Sequence, residues 1–320
     1  MTKQSRKIMD EMQVRKSRRQ KEAFRAWLCG ELEAAGYAPT VEKGFASRNV
    51  VAGDPDKAKV LLTAHYDTQP VLPVPNFITP RNPFFFVLYQ IAIVIPLLIL
   101  VGVVEGVLLF ASDGLAEAGA MGTATVLLCL MPLVSMGICI FFIWWLMDGK
   151  ANQHTANDNT SGVLTLLETA LALPPEHRGR VCFVFFDNEE KGMFGSAAFA
   201  KKHKQVRKNT VVLNFDCVSD GDSIQFFPQN KLKKDETALK RMEAAFLPTG
   251  DKDVQVVRGF SMYPSDNANF KRGVGVCALK HRPVVGYYMD RIHTSRDTVL
   301  DEANIALLRD GALRYIAGLD

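Results

Sequence analysis

The sequence contains no internal repeat and no low-complexity tract, and 48% hydrophobic with 22% charged residues over 320 positions is unlike a disordered or collagen-like chain. Cysteine is sparse: six residues without any Cys-x-x-Cys spacing exclude a small disulfide scaffold. They suit a reducing compartment and a packing role. No apolar segment stands near Met1, so no secretory leader is expected. A net positive charge is missing from most of the chain as well. Of the overall +4, the first 25 residues supply +6, so the other 295 carry −2. No nucleic-acid surface is therefore expected, and the basic N-terminal segment suits solvent or anionic lipid.

Charge is almost absent from two long stretches. Residues 84–110 contain only Glu105 and residues 121–147 contain no charged side chain, each longer than the roughly 20 apolar residues that cross a bilayer core. Neither shows the polar stripe of a core helix. Phe84, Phe85, Phe86 and Tyr89 open the first stretch, and Trp144 and Trp145 close the second, forming an aromatic belt at one interface. The connection 111–120 holds Asp113 and Glu117 but no Lys or Arg, whereas Arg81 and Lys150 flank the outer ends. This asymmetry predicts an integral membrane protein with spans near 84–110 and 121–147, the remainder and both termini being cytosolic. Glu105 is expected to snorkel toward the far interface.

Removing the hairpin leaves enough chain for one compact domain, discontinuous over 1–69 and 151–320, with 70–150 as a Pro-rich linker and the hairpin. Lys59–Ala64, Val181–Phe186, Thr210–Phe215 and Val274–Leu279 are short continuous apolar runs, the pattern of strands buried on both faces. Helical patterns lie before and between them, around Phe24–Gly36, Ser161–Leu173, Phe194–Lys204, Asp235–Phe246 and Asp301–Leu319. The alternation predicts an α/β fold: a mainly parallel central sheet flanked by helices, plus the inserted two-helix hairpin.

Polar residues follow these runs: His65-Tyr66-Asp67, Asn157-Asp158-Asn159, Asp187-Asn188-Glu189-Glu190, Asp216 and, near the end, His293. Carboxyl ends of strands in an open α/β sheet form the crevice that binds ligands. Imidazoles and carboxylates together are a donor set for zinc. Asp158, Glu190 and Asp216 with one hydroxide would carry −4, enough to neutralise two divalent ions in a hydrolytic two-metal site. His65 and Asp67 share a strand face at spacing two, so Asp67 can accept the second ring N–H of His65.

His65-Tyr66-Asp67, Asp158-Asn159-Thr160-Ser161-Gly162, Glu189-Glu190-Lys191-Gly192-Met193-Phe194-Gly195-Ser196, Asn214-Phe215-Asp216 and His293-Thr294 with Asp297-Thr298 resemble, in order, the motifs of the di-zinc aminopeptidases, family twenty-eight of the metallopeptidases. The resemblance implies a zinc exopeptidase-like fold and two Zn2+. It implies that His65 and Asp216 bind one ion, Glu190 and His293 the other, and that Asp158 bridges them. Glu189 is implied as general base, Asp67 as the partner of His65, and the Asp158-Asn159 peptide bond as cis. Tyr263, Tyr287 and Tyr288 are candidates for an oxyanion donor.

Two departures stand out. Ser265-Asp266-Asn267 occupies the place of the family's Ser-Asp-His run, and 93 positions separate His65 from Asp158, where relatives have a short loop. The hairpin fills that loop. The expectation is a membrane-anchored zinc-dependent peptidase, an aminopeptidase acting on peptides, with the lipid bilayer as its other partner. The alternatives are a single-zinc glutaminyl-cyclase-like acyltransferase and a non-catalytic membrane adaptor on the same scaffold.

Overall fold

A computed structural model describes residues 2–319 except Pro73 and Pro75, so those two prolines of the expected linker lie outside the described residues. The chain divides into two compact units, Met1–Asn82 with Ala151–Asp320, and Pro83–Lys150.

The first unit is built on one mixed sheet of β1 (Thr40–Gly44), β2 (Ser47–Ala52), β3 (Val60–His65), β4 (Val181–Phe186), β5 (Val211–Phe215), β6 (Ser223–Pro228), β7 (Asp253–Val256), β8 (Gly273–Arg282) and β9 (Gly286–Tyr288). Their order is β1-β2-β4-β3-β5-β8-β6-β7, with β9 paired to β8. The central four, β4-β3-β5-β8, are mutually parallel and correspond to the four apolar runs. β2 joins β4, and β6 joins β8, in antiparallel pairing. Strand alternation splits the apolar side chains between two faces. Leu62, Ala64, Phe183, Phe185 and Leu213 pack with Phe24, Leu28, Leu167 and Leu308 of the helices Arg18–Ala34, Gly162–Ala172 and Glu302–Ala317. Leu61, Val184, Phe186 and Val212 pack on the other face with Phe199, Val206 and Phe270. Every residue of β3, β4 and β5 is buried, which accounts for their unbroken apolar character.

Within the expected linker, described residues are tied to the first unit. Pro70 forms a bridge with Ala151, Ile78 forms one with Met289, and the Leu72 N–H donates to the His293 carbonyl at 2.7 Å. Backbone groups of Leu72 and Ile78 that an isolated extended segment would leave unpaired are taken up by His293 and Met289. In the basic N-terminal segment Lys3, Arg6, Lys7, Arg18 and Arg19 are exposed, as a solvated segment would be, while other side chains turn inward. Ile8 and Arg15 are buried, and Lys21 pairs with Asp187 at 2.7 Å.

The second unit consists of two helices, Pro83–Glu117 and Met121–Asp148, both long and apolar enough to cross a bilayer. Glu105 is engaged within this hairpin: its carboxylate accepts a hydrogen bond from Ser135 Oγ at 2.7 Å.

Candidate metal centre

The seven residues singled out in the sequence converge at the carboxyl ends of β3, β4 and β5. His65 ends β3, Asp67 lies two residues on, Glu189 and Glu190 follow β4, and Asp216 follows β5. Asp158 sits in the turn Ala156–Ser161 ahead of Gly162–Ala172, and His293 lies in the loop after β9.

Asp158 stands at the middle. One carboxylate oxygen lies 3.3 Å from His65 Nε2 and the other 2.9 Å from His293 Nε2. His65 Nε2 is also 3.4 Å from Asp216 Oδ1, and His293 Nε2 is 3.4 Å from Glu190 Oε2. Ligand atoms within 4.8 Å of one another thus form the groups His65-Asp158-Asp216 and Asp158-Glu190-His293, and a third, His65-Glu189-Glu190. An imidazole nitrogen carries at most one proton, yet each Nε2 faces two carboxylates, and the donors are nitrogen and oxygen only. This donor set fits zinc, and its two Asp158-containing triads offer two places for it.

A surrounding layer fixes these side chains. The Asp158-Asn159 peptide bond is cis. Asn159 Nδ2 donates to the Phe215 carbonyl at 3.0 Å and its Oδ1 accepts from Gly162 N at 3.0 Å, linking the Asp158 turn to the end of β5. A Cβ at Gly162 would approach the Phe215 oxygen to 2.2 Å, so only glycine allows this junction. Asp297 accepts the backbone N–H groups of Asn157 and Asp158 at 2.7 and 3.0 Å. Asp67 accepts those of Glu189 and Glu190 at 3.0 and 3.3 Å while its Oδ1 lies 3.5 Å from His65 Nδ1. Gln69, with its amide turned to satisfy both neighbours, donates to Glu190 Oε1 at 3.0 Å and accepts from the His293 N–H at 3.3 Å. Arg15 donates to the Tyr66 carbonyl at 2.5 Å and to Thr160 Oγ1 at 3.1 Å, placing a buried cation beneath the His65 and Asp158 segments.

Ser265 Oγ donates to Asp216 Oδ2 at 2.5 Å. Asn267, in place of the family's histidine, is buried and bonds backbone groups of Ser265 and Gly275. Of the three tyrosines, Tyr263 donates its hydroxyl to the Asp216 carbonyl at 3.0 Å. Tyr287 accepts from Gln255, and Tyr288 packs against Phe77. Gln69 and Arg15 therefore complete the site without having been singled out in the sequence, whereas Asn159 and Asp297 stood in the motifs with no role assigned to them.

The charges are strongly coupled to their surroundings. Hydrogen bonds to His293 and His65 hold Asp158 well below the usual carboxylate range despite its burial. His65 is raised, because Asp158, Asp216 and Asp67 together outweigh the burial that alone would lower it. Burial, reinforced by neighbouring carboxylates, pushes Glu189 and Glu190 well up and Asp266 to about 7. Burial pulls Arg15 down to about 10 even though Asp67 and Asp158 oppose it.

These directions set a stability dependence for the metal-free chain. Glu189, Glu190 and Asp266 hold protons more tightly folded than unfolded. Their contribution is present below the ordinary carboxylate value of about 4 and is lost as pH climbs, through about 7 for Asp266. Raised His65 acts in the same sense, while lowered Asp158 contributes fully above about pH 4 and adds no slope in that window. In chelator, the thermal midpoint is expected to fall between about pH 5 and about pH 7, and zinc is expected to flatten the slope. Scanning fluorimetry across that range checks it; a rising metal-free midpoint would contradict it.

Residues 147–313 match the profile of Peptidase family M28. A curated relative, a probable leucine aminopeptidase of Arthroderma otae, is 27% identical over 166 residues, 49% of this chain and 45% of that protein. The chain thus spans less than half the length of that relative. Similar solved structures include a Zn-dependent exopeptidase from Parabacteroides distasonis (TM-score 0.57, 15% identity, 98% of this chain and 95% of that one). A glutaminyl cyclase of Porphyromonas gingivalis scores 0.57 at 16% identity, with the same two coverages. The LapA aminopeptidase of Legionella pneumophila scores 0.56 at 13% identity, over 98% of this chain and 68% of that one. At these identities the likeness establishes the α/β fold.

Proposed function

The chain belongs to peptidase family M28, and from that premise we propose that it is a membrane-anchored aminopeptidase holding two zinc ions. The observation that carries this reading is the Asp158 carboxylate, whose two oxygens face two different histidine Nε2 atoms. His65 with Asp216 would hold one ion, Glu190 with His293 the other, and Asp158 would bridge. Two bound zinc ions polarise a scissile carbonyl and acidify water.

The chain's own residues supply the rest. Glu189 neighbours Glu190 in sequence, but its side chain belongs to neither Asp158-containing triad. Its carboxylate would take the proton of the attacking water and return it to the leaving amine. Raising of its proton affinity by burial suits that exchange. Asp67, bonded to the Glu189 and Glu190 backbone and beside His65 Nδ1, would keep all three groups in register. Gln69 would steady Glu190 and the His293 loop together. Gln69→Leu is therefore expected to weaken zinc affinity about 10- to 100-fold, measured by competition against a chelating dye. Unaltered affinity would remove Gln69 from this role.

A single-zinc glutaminyl-cyclase-like acyltransferase is the second reading, favoured by the cyclase structures that share the fold. The presence of His65 beside Asp216 speaks for the second ion. Metal analysis with a panel of fluorogenic aminoacyl substrates separates the two. Two zinc ions per chain, chelator-sensitive release of N-terminal residues and restoration by zinc are expected. One ion, with cyclised glutaminyl peptides as the only product, would overturn the aminopeptidase. A fully loaded chain inactive on both substrates would leave the adaptor.

Membrane anchoring rests on the two apolar helices, and the cytosolic side on the acidic connection between them. Protection of an epitope in residues 111–120 from protease added to sealed, right-side-in vesicles tests the side.

A further inference from the structure

We propose that the turn between β8 and β9 is a second, peripheral membrane contact, its tip Pro283-Val284-Val285 entering the headgroup layer of an anionic bilayer beside Arg282 and Arg81. The inference rests on the membrane reading above and extends it from the spans to the globular unit.

Val284 is 87% exposed, more than any other large apolar side chain described. Its φ of +71° lies in the left-handed region, where a β-branched residue is strained and glycine or asparagine is the ordinary choice. At that exposure, no packing among the described residues compensates for a valine there. The tip is also fixed in place: Asn82 Nδ2 donates to the carbonyls of Val284 at 3.4 Å and Val285 at 3.0 Å. Asn82 immediately precedes the apolar helix that opens Pro83-Phe84-Phe85-Phe86. Aromatic residues at a span's end sit at headgroup depth, and two residues of helix correspond to about 3 Å, so Asn82 and the tip bonded to it share that depth.

The charges fit the same surface. Arg81 lies over the Tyr287 ring at 4.8 Å and bonds Gln255, and Arg282 lies over Tyr288 at 5.6 Å. Neither has a carboxylate partner among the described residues, whereas nearby Lys280 and Arg291 are both paired with Asp220. Two guanidiniums over aromatic rings, flanking an apolar tip, match lipid phosphate above and acyl chain below. Beyond the tip the chain passes through β9 to Met289, bridged to Ile78, and on to His293. Bilayer contact at the tip would hold the candidate metal centre near the surface, where peptides partitioned onto the membrane gather.

The test uses the full-length chain in nanodiscs containing phosphatidylserine, with an environment-sensitive fluorescent amino acid replacing Val284, Val103 of the first span or exposed Phe45 in turn. Quenching at 284 by lipid-borne nitroxide, shielding there from iodide, and loss of both in Arg282→Glu are expected. A probe at 284 open to iodide while 103 is quenched from lipid overturns the contact and leaves the spans standing. Shielding at 284 from both quenchers means a protein partner or second copy covers the tip, and also overturns it. Iodide access at 103 equal to that at 45 removes the membrane reading itself.

Discussion

Glu189→Gln is expected to lower kcat about 10²- to 10⁴-fold while leaving zinc content unchanged. The substitution keeps the side chain's size and removes its capacity to accept a proton. The surrounding scaffold does not depend on that carboxylate, because Asp67 grips the backbone N–H of Glu189 rather than its side chain. Glu190 and Asp158 retain their places beside His293. Glu189 does lie within 4.8 Å of ligand atoms of His65 and Glu190, so ligation is the rival role. Metal analysis of the purified variant separates the two. Zinc loss matching the activity loss would transfer Glu189 from proton carrier to ligand.

Why some of this was legible in the sequence and some was not follows from the forces involved. β3, β4 and β5 announce themselves because helices cover both faces, and only apolar residues satisfy both sides. β1 reads Thr-Val-Glu-Lys-Gly and is largely exposed at the sheet edge, where pairing with β2 rather than side-chain burial defines it. β6 is wholly buried, yet it carries Gln225 at its centre, which interrupts the apolar signal.

The acidic and histidine residues of the site are conspicuous because a charge placed after a buried strand has few structural reasons to be there. Gln69 carries no such mark, and Asn159 and Asp297, though they stand in the motifs, do not show there what they bond. They act across intervals such as Gln69 to Glu190 or Asp158 to Asp297, visible only once the chain is folded. The Pro-rich segment was readable as extended but not as pinned, since its partners at Met289 and His293 lie more than 200 positions away.

Asp158→Ala is expected to empty the site of both ions and reduce activity to the level seen in chelator. Zinc at a catalytic site takes three protein ligands. Without Asp158, each proposed ion keeps two, His65 with Asp216 or Glu190 with His293. Asp297 does not substitute for the missing oxygens, because it is committed to the backbone of residues 157 and 158. Those same backbone bonds survive the substitution, as do the Asn159 links to Phe215 and Gly162, so the turn itself is expected to hold and the far-ultraviolet spectrum to stay unchanged. Removing the shared carboxylate also frees His65 and His293 from the charge that faces them both, so their pairings with Asp216 and Glu190 become independent. Stoichiometry is the decisive readout. Two zinc ions retained in a folded Asp158→Ala chain would mean that Asp158 does not bridge, and the division of ligands between two ions would have to be redrawn.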